Sequence, residues 1–481
     1  TGHEALKIDR PKKEVEIEEK KTGRRYRLAY DQLVLAPGAL PVRPRLSGIE
    51  APQVFTLRSI NDTDRIKNYL HEAKPKSAVV VGAGLIGLEM VENLHRAGLK
   101  VSLVEMAGWV LPRNLDFEMA APVHKHLRQK GIALYFGTSV LALEQRSGQV
   151  MVLLENGERL PAEMVILAAG TVPDQRLAME AGLAIGPTGG IIVNERFQTS
   201  DPEIYAVGDA IELKSTLTRE PSLVQLAGPA NRQGRLAADA LAGRVVAYEG
   251  ALGTAIAKVF DLTVATVGLN TESLRRAGID FFSSLTHSPD HAAYYPGSRQ
   301  MSIKLLFSPG EGKILGAQVV GYQGVDKCID VLATAIRAKM NVYDLQDLEL
   351  AYAPPFSSAK SPVNMLGYVA SNILRKEVEA VRWEQVEQLL AGSNVLVDVR
   401  TAKELEKNGA VAGALNIPLD ELRDRLAEIP EDREVLTYCQ AGQRSYIANR
   451  ILRQKGYKVK NISGGYRSYL AQRMISPRKI N

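Results

Sequence analysis

The segment that most constrains this chain is a glycine-rich turn between an apolar strand and a helix. Residues 77–82 form an apolar run of the kind that is buried in a parallel sheet. The run leads into Gly82-Ala-Gly84-Leu-Ile-Gly87, which matches the pattern G-x-G-x-x-G and opens a helix predicted over 85–97. The next predicted strand ends at Glu105, 18 residues past Gly87. Strand, turn, helix and acidic residue together predict a βαβ unit that binds a dinucleotide.

Each residue of this pattern has a physical reason. Gly82 permits the tight turn, Gly84 lets a pyrophosphate approach the backbone at the helix N-terminus, and Gly87 allows the helix to pack closely on the strand. Glu105 can accept hydrogen bonds from both ribose hydroxyls and would repel a 2′-phosphate, which favours NADH over NADPH. The alternative is a glycine turn that holds no ligand.

Three further elements each place a glycine just after an apolar strand. Ala36-Pro-Gly38 and Ala168-Ala-Gly170 each follow an apolar strand and precede a proline, at Pro41 and Pro173. Asp209 lies just past a predicted strand, after a glycine at position 208 that lets a ligand come close. A carboxylate there is well placed to accept a hydrogen bond from a ribityl hydroxyl, although it could instead cap the next helix.

In this order, the elements resemble the FAD-dependent pyridine-nucleotide disulfide oxidoreductases over residues 1–375. The resemblance implies an α/β fold: a two-dinucleotide-binding, Rossmann-like flavoprotein reductase with an α+β dimerisation domain. It implies FAD and NADH as cofactors, and it assigns cofactor binding to Gly170, Gly208, Asp209 and Ala227.

Three segments narrow the resemblance to coenzyme A-disulfide reductases and NADH-dependent persulfide or polysulfide reductases. They are residues 226–235, 291–297 and 352–360. The resemblance implies a homodimer in which tyrosines reach the flavin–sulfur site across the interface, and polar residues that contact coenzyme A as substrate or bound thiol. The tyrosines are Tyr294 or Tyr295, together with Tyr352; the coenzyme A contacts are Asn231, Arg232 and Lys360. Plain interface packing for the tyrosines and a surface role for Arg232 and Lys360 are the alternatives.

Near the C-terminus, a cysteine follows an apolar strand and precedes a helix. In Cys439-Gln-Ala-Gly442-Gln-Arg444, backbone N–H groups could wrap around the sulfur, and with the helix dipole they would favour a thiolate or persulfide anion. The chain has no histidine after His291, which excludes a Cys–His pair within this segment. The alternative is a buried, inert cysteine.

The segment 383–470 resembles a single-domain rhodanese. The resemblance rests on the Cys439 loop and on Asp398-Val-Arg400, Asn416-Ile-Pro418 and Gly464-Gly465-Tyr466-Arg467. It implies that Cys439 carries sulfane sulfur and that Arg444 is catalytic. Ala410 departs from the pattern, since many rhodaneses have histidine there.

Length and composition set the remaining limits. The chain has 481 residues, 45% hydrophobic and 24% charged, which predicts several globular domains. Two cysteines make no disulfide framework, so a reducing, cytoplasmic location is expected, with Cys328 in core packing. No apolar run approaches the roughly 18 residues of a spanning helix. We expect no membrane segment, no nucleic-acid partner and no metal.

The predicted domains are 1–70 and 189–250 (FAD), 71–188 (NADH), 251–375 (dimerisation) and 376–481 (rhodanese).

The first Ala-x-Gly comes as early as Ala36, and we therefore expect this chain to lack an N-terminal FAD-binding βαβ unit and its redox cysteine. Three functions follow. The first is an NADH-dependent reductase of coenzyme A disulfide, coenzyme A persulfide or polysulfide, coupled to a rhodanese that carries sulfur on Cys439. The second is a rhodanese-type sulfurtransferase on an inactive, truncated reductase scaffold. The third is an NADH-binding module with a regulatory thiol.

Overall fold

A computed structural model describes residues 1–146, 148–392 and 394–473. The chain divides into two compact units. The first comprises residues 1–87 and 139–255, and the second comprises residues 88–138 and the chain from 256 onward. Both units contain parallel and antiparallel sheets, as expected for a mixed α/β protein.

The first unit begins with an antiparallel three-stranded sheet, β1-β2-β3. Apolar and acidic residues alternate in β2, so Val15 is buried while its neighbours Glu14 and Glu16 are partly exposed. Two short strands follow, and they pair with later strands of the same unit. The elements are β1 (His3–Asp9), β2 (Glu14–Glu19), β3 (Arg24–Ala29), β4 (Leu33–Leu35), β5 (Ala39–Pro41), β6 (Val54–Thr56) and α1 (Ile60–Ala73).

The predicted dinucleotide-binding segment forms its strands and helix as expected. Within the first unit, β13 lies between β6 and β7, with parallel pairing on both sides. In the second unit, β8 pairs in parallel with β9. The helix α3 was not predicted. The elements are β7 (Ser77–Val81), α2 (Leu85–Arg96), β8 (Lys100–Glu105), α3 (Phe117–Gln129), β9 (Ala133–Phe136), β10 (Val140–Arg146), β11 (Gln149–Leu154), β12 (Arg159–Ala162), β13 (Met164–Leu167), β14 (Thr171–Pro173) and α4 (Arg176–Glu180).

The rest of the first unit places the predicted carboxylate Asp209. All three residues of β16 are buried, and the chain leaves this strand at Val207 and turns at Gly208, where φ is +83°. A single 3₁₀ turn, Gly208–Ala210, therefore presents Asp209 at the end of the strand. The elements are β15 (Ile191–Ile192), β16 (Ile204–Ala206), β17 (Ile211–Lys214), β18 (Pro221–Ser222) and α5 (Ala227–Leu241).

The second unit holds an antiparallel sheet in the order β19-β20-β23-β22-β21. The sequence of residues 255–269 predicts one long strand. The structure has two strands there, because Phe260 adopts a left-handed φ of 56° and reverses the chain. The strand β21 was not predicted. The elements are β19 (Ala255–Val259), β20 (Leu262–Gly268), α6 (Thr271–Arg276), β21 (Phe282–Pro289), β22 (Gln300–Phe307), β23 (Ile314–Gly321), α7 (Val325–Arg337), α8 (Val342–Asp347) and α9 (Pro362–Leu374).

The C-terminal segment forms a parallel sheet in the order β24-β28-β27-β25-β26. Its central strand β27 is buried at all four positions, as a strand with helices on both faces must be. Among the described residues, no helix is both long and apolar enough to cross a membrane. The elements are β24 (Ala380–Val381), α10 (Trp383–Ala391), β25 (Val395–Asp398), α11 (Ala402–Asn408), β26 (Leu415–Asn416), β27 (Val435–Tyr438), α12 (Gln443–Gln454), β28 (Val459–Ile462) and α13 (Gly465–Arg473).

Candidate functional site

The Cys439 loop, residues 439–442, lies between β27 and α12. Gly442 has φ +116° and is the N-cap of α12, so a side chain there would be strained. Its N–H donates to Cys439 Sγ at 3.1 Å, and Cys439 is only 2% exposed. The predicted contact between a loop N–H and the sulfur is therefore present. A backbone donor at a helix N-terminus suits an anionic sulfur.

The other side of this loop is held by the first turn of α13. Tyr466 donates its N–H to the carbonyl of Cys439 at 2.7 Å, and Arg467 donates to the carbonyl of Gln440 at 3.1 Å. Glycine is required at position 465, just before Tyr466, because a Cβ there would overlap the Cys439 carbonyl oxygen. The loop is thus fixed by backbone hydrogen bonds on two sides.

Arg444, predicted to be catalytic, is paired with a carboxylate that the sequence argument missed. Its two terminal nitrogens contact the two oxygens of Glu404, each at 2.6 Å. The Arg444 guanidinium lowers the pKa of Glu404 to about 2. In turn, the hydrogen bonds to Glu404 raise the pKa of the Arg444 guanidinium. A Thr-x-x-Glu capping box marks Glu404 in the sequence, but that signal predicts a helix start and not this partner.

Behind the loop lies a fully buried ion pair, Asp398 with Arg400. Both side chains are 0% exposed, and Arg400 Nη2 lies 2.6 Å from Asp398 Oδ2. The guanidinium lies 3.8 Å from the ring centroid of Tyr466, the same residue whose N–H holds Cys439. The pair therefore supports the α13 turn against the sheet, and its role is structural.

The tyrosines predicted at the flavin–sulfur site lie close together in the second unit. The hydroxyls of Tyr294 and Tyr352 are 3.4 Å apart, and this hydrogen bond raises the pKa of Tyr294. Tyr295 packs edge-on against His291, with ring centroids 5.9 Å apart. His291 pairs with the buried carboxylate of Asp290 at 2.9 Å, which fixes the start of this loop.

The glycine turn of the first unit fits a dinucleotide. A Cβ at Gly82 would overlap the carbonyl oxygen of Ala168, and one at Gly87 would overlap that of Gly82. At Gly84, by contrast, a Cβ would meet nothing within 4 Å, so the open side of the turn lies where a pyrophosphate is expected. In the second unit, Glu105 ends β8, and its Oε1 accepts from the N–H of Ala107 at 2.9 Å.

The residues expected to hold FAD also fit it. Gly170 has φ +108° and open space at its Cβ position, and Gly208 is held by the side chain of Gln233 at 2.7 Å. Asp209 lies at the end of β16, with its Oδ2 3.8 Å from Arg58 Nη2. Ala227 is the first residue of α5, whose N-cap makes no side-chain hydrogen bond, which leaves backbone N–H donors for a ligand.

The residues predicted to contact coenzyme A lie in different units. Asn231 and Arg232 are exposed on α5, with the Arg232 guanidinium 6.0 Å from the ring of Tyr248. Lys360 is exposed just before α9. Cys328, predicted to pack in the core, is buried in α7, and burial raises the pKa of its thiol to about 12. Within the described ranges, no cluster of three or more His, Cys, Asp or Glu residues could hold a metal ion.

Three family models match the chain. They are the pyridine nucleotide-disulphide oxidoreductase over residues 1–234, its dimerisation domain over 254–362, and the rhodanese-like domain over 382–472. Among curated relatives, a coenzyme A disulfide reductase of Staphylococcus haemolyticus is 33% identical over 78% of this chain and 83% of its own length. An NADH oxidase of Methanocaldococcus jannaschii is 37% identical, over 74% and 78%.

Two solved structures match nearly the whole chain. Reduced CoADR-RHD of Bacillus anthracis is 50% identical and superposes with a TM-score of 0.95, covering 98% of this chain and 84% of that one. A NAD-dependent persulfide reductase from A. fulgidus is 39% identical, with a TM-score of 0.91 and the same coverage.

Fold and sites together define a flavoprotein reductase joined to a rhodanese domain. The chain belongs to the pyridine nucleotide-disulphide oxidoreductase family. It is an oxidoreductase of the FAD- and NADH-dependent disulfide or persulfide reductase class, which confirms the predicted fold, family and cofactors. The match over 254–362 supports a dimerisation domain.

Proposed function

We propose that this protein is an NADH-dependent reductase of coenzyme A disulfide, coenzyme A persulfide or polysulfide, and that its rhodanese domain carries sulfane sulfur on Cys439. The observation that carries the proposal is the Gly442 N–H, which donates to Cys439 Sγ at 3.1 Å within a loop fixed by α13. The names of the relatives, a coenzyme A disulfide reductase and a persulfide reductase, support the substrate class.

Sulfur transfer at Cys439 then follows from the loop. The Cys439 thiolate attacks the outer sulfur of a persulfide or of thiosulfate, an S–S bond forms as the donor's S–S bond breaks, and the donor leaves as a thiolate or as sulfite, respectively. An acceptor thiolate attacks the outer sulfur of the resulting persulfide and regenerates the Cys439 thiolate. Throughout, the Gly442 N–H stabilises negative charge on the cysteine sulfur.

On the reductase side, NADH and FAD supply the reducing electrons when bound. Gly82, Gly84 and Gly87 would accommodate the pyrophosphate of NADH, and Asp209 would accept a hydrogen bond from the FAD ribityl chain. The hydrogen bond to Tyr352 raises the pKa of Tyr294, so the Tyr294 hydroxyl stays protonated at neutral pH and can donate to a sulfur anion.

Substrate binding and assembly complete the proposal. Arg232, with Asn231 beside it, and Lys360 would bind the phosphates of coenzyme A. The exposed rings of Tyr294 and Phe356, 76% and 73% accessible, favour a homodimer in which a second copy covers this surface. The five predicted domain ranges remain part of this proposal.

A second function, sulfur transfer without NADH, is favoured by the two cysteines of this sequence. Burial raises the pKa of Cys328 to about 12, whereas Cys439 lies in a loop that contacts its sulfur. An assay of thiosulfate or persulfide against a thiol acceptor, run with and without NADH, separates this function from the reductase.

The test of the main proposal is Cys439→Ser, compared with Cys328→Ala. We expect Cys439→Ser to reduce sulfur transfer by on the order of 1,000-fold or more, as for loss of a nucleophile, and to leave NADH oxidation by the disulfide substrate unchanged. Cys328→Ala should retain both activities. Loss of both activities together in Cys439→Ser would contradict separate roles for the two domains.

A further inference from the structure

A histidine from the dimerisation domain contacts the rhodanese domain. His287 lies on β21, the edge strand of the antiparallel sheet, and both of its ring nitrogens are hydrogen bonded. Nδ1 lies 2.9 Å from Ser302 Oγ on the neighbouring strand, and Nε2 lies 2.9 Å from Ser468 Oγ on α13. Burial lowers the pKa of His287 to about 3, so at neutral pH one nitrogen donates and the other accepts.

A second contact joins the same two elements. The Leu285 N–H donates to Ser463 Oγ at 3.0 Å, and that hydroxyl lies 3.3 Å from the Leu285 carbonyl oxygen. Ser463 and Ser468 bracket the first turn of α13. We call residues 463–468 the clamp segment; β21 holds it at both ends, through Leu285 and His287.

Between those ends, the clamp segment holds the Cys439 loop. Tyr466 and Arg467 donate their N–H groups to the carbonyls of Cys439 and Gln440. In a planar trans peptide the N–H points opposite to the C=O. Fixing these two carbonyls toward α13 therefore directs the N–H groups of Gln440 and Ala441 away from α13. The clamp segment thus sets the orientation of the loop's backbone donors.

We propose that His287 is a positioning residue for sulfur transfer: through Ser468 it fixes the clamp segment, and through that segment the peptide planes of the Cys439 loop. The dimerisation domain thereby completes the rhodanese site. The rhodanese segment itself contains no histidine, and the imidazole at its boundary comes from an earlier part of the chain. The inference rests on the proposed sulfur-transfer function of Cys439.

Two substitutions at His287 separate its two hydrogen bonds. His287→Asn keeps a polar atom near the Nδ1 position, where it can bond Ser302, but is too short to reach Ser468. His287→Gln reaches toward the Nε2 position and can retain the bond to Ser468. Ser468→Ala removes the same interaction from the rhodanese side. Glu377→Gln is the control, since Glu377 pairs with Arg450 of α12 at 2.6 Å and is not part of the clamp segment.

The measurement is the steady-state rate of sulfur transfer from thiosulfate to cyanide, per folded molecule, with the unfolding midpoint recorded for every variant. We expect His287→Asn and Ser468→Ala each to lower kcat on the order of tenfold, because a small displacement of loop donors is costly. KM for thiosulfate should change less than kcat. The double variant should be no slower than Ser468→Ala, because Ser468→Ala already removes the contact with His287, together with the hydrogen bond from Ser468 Oγ to the Gly464 carbonyl. His287→Gln should recover most of the rate, and Glu377→Gln should match the wild type.

The outcomes distinguish the inference from the function on which it rests. If the wild-type protein transfers sulfur no faster than Cys439→Ser, the proposed function of the loop is wrong. If the wild type is active and His287→Asn has the same kcat per folded molecule, the positioning role is wrong. Additive losses in the double variant, or an equal loss in Glu377→Gln, would also overturn it.

Discussion

The Cys439 loop and the Tyr294–Tyr352 pair are built in opposite ways. Cys439 is 2% exposed, and its sulfur and carbonyl are held by backbone N–H groups at 3.1 and 2.7 Å. Tyr294 and Tyr352 are 76% and 48% exposed, and one 3.4 Å hydrogen bond joins them. Backbone donors that the fold already holds around a small anion are in position before any ligand binds. Exposed side chains suit a site that a cofactor, a large substrate or a second subunit completes.

The largest expected effect tests the rigid side of this comparison. Asp398→Asn removes the charge that pairs with fully buried Arg400, and breaking a buried pair leaves an uncompensated charge at a cost of roughly 3–5 kcal/mol. We expect the free energy of unfolding of the rhodanese domain, measured by denaturant titration, to fall by that amount.

The control for this prediction is Glu50→Gln. The Arg43–Glu50 pair has a similar distance, 3.0 Å, but both side chains are exposed. Its loss should cost less than about 1 kcal/mol. Equal effects of the two substitutions would show that the support behind the Cys439 loop is no more rigid than an ordinary surface contact.

The second prediction concerns another site that is open to a large ligand, the glycine turn of the first unit. Gly84→Ala places a methyl group where nothing lies within 4 Å, so the fold should tolerate it, while NADH has to approach this backbone. We expect NADH binding, measured by fluorescence titration, to weaken about tenfold, or roughly 1.4 kcal/mol. Gly87→Ala would overlap the Gly82 carbonyl oxygen and should reduce stability as well. Unchanged NADH affinity in Gly84→Ala would mean that the dinucleotide does not approach this turn.

The local structure of the glycine turn and of the Cys439 loop was predicted correctly from the sequence. The strand–turn–helix at Gly82–Gly87 and the Cys439 loop are visible because glycines and apolar runs are contiguous there. The prediction of a single strand over 255–269 was wrong, because this run contains Phe260, whose left-handed φ no residue-type rule signals.

The partners of functional residues were harder to predict. Glu404 pairs with Arg444 across 40 residues, and His287 with Ser468 across 181. Such pairs arise from the packing of helices and strands that are distant in sequence, and no periodicity encodes them. The roles of Arg444, Tyr294 and the coenzyme A contacts stay predictions for the same reason.

The smallest expected effect concerns the Glu404–Arg444 pair beside the Cys439 loop, whose stabilising contribution depends on pH. Arg444 lowers the pKa of Glu404 from 4.5 to about 2. A lowered folded-state pKa stabilises the protein fully above the unfolded value, and the contribution is lost as the pH falls from about 4.5 to about 2. Glu404 is partly exposed, so we expect about 1 kcal/mol from this pair after solvent screening.

Glu404→Gln isolates that contribution. At pH 7 the variant should be about 1 kcal/mol less stable than the wild type, and the two should converge near pH 2, because the wild-type carboxyl is then becoming protonated. The check is the free energy of unfolding from pH 7 down to pH 2, with Glu50→Gln as the exposed control. A constant difference across this range would show that the charge of Glu404 is not what stabilises the pair. In that case a pH-independent hydrogen bond from Arg444 to Glu404, and not the charge of the carboxylate, would hold the guanidinium.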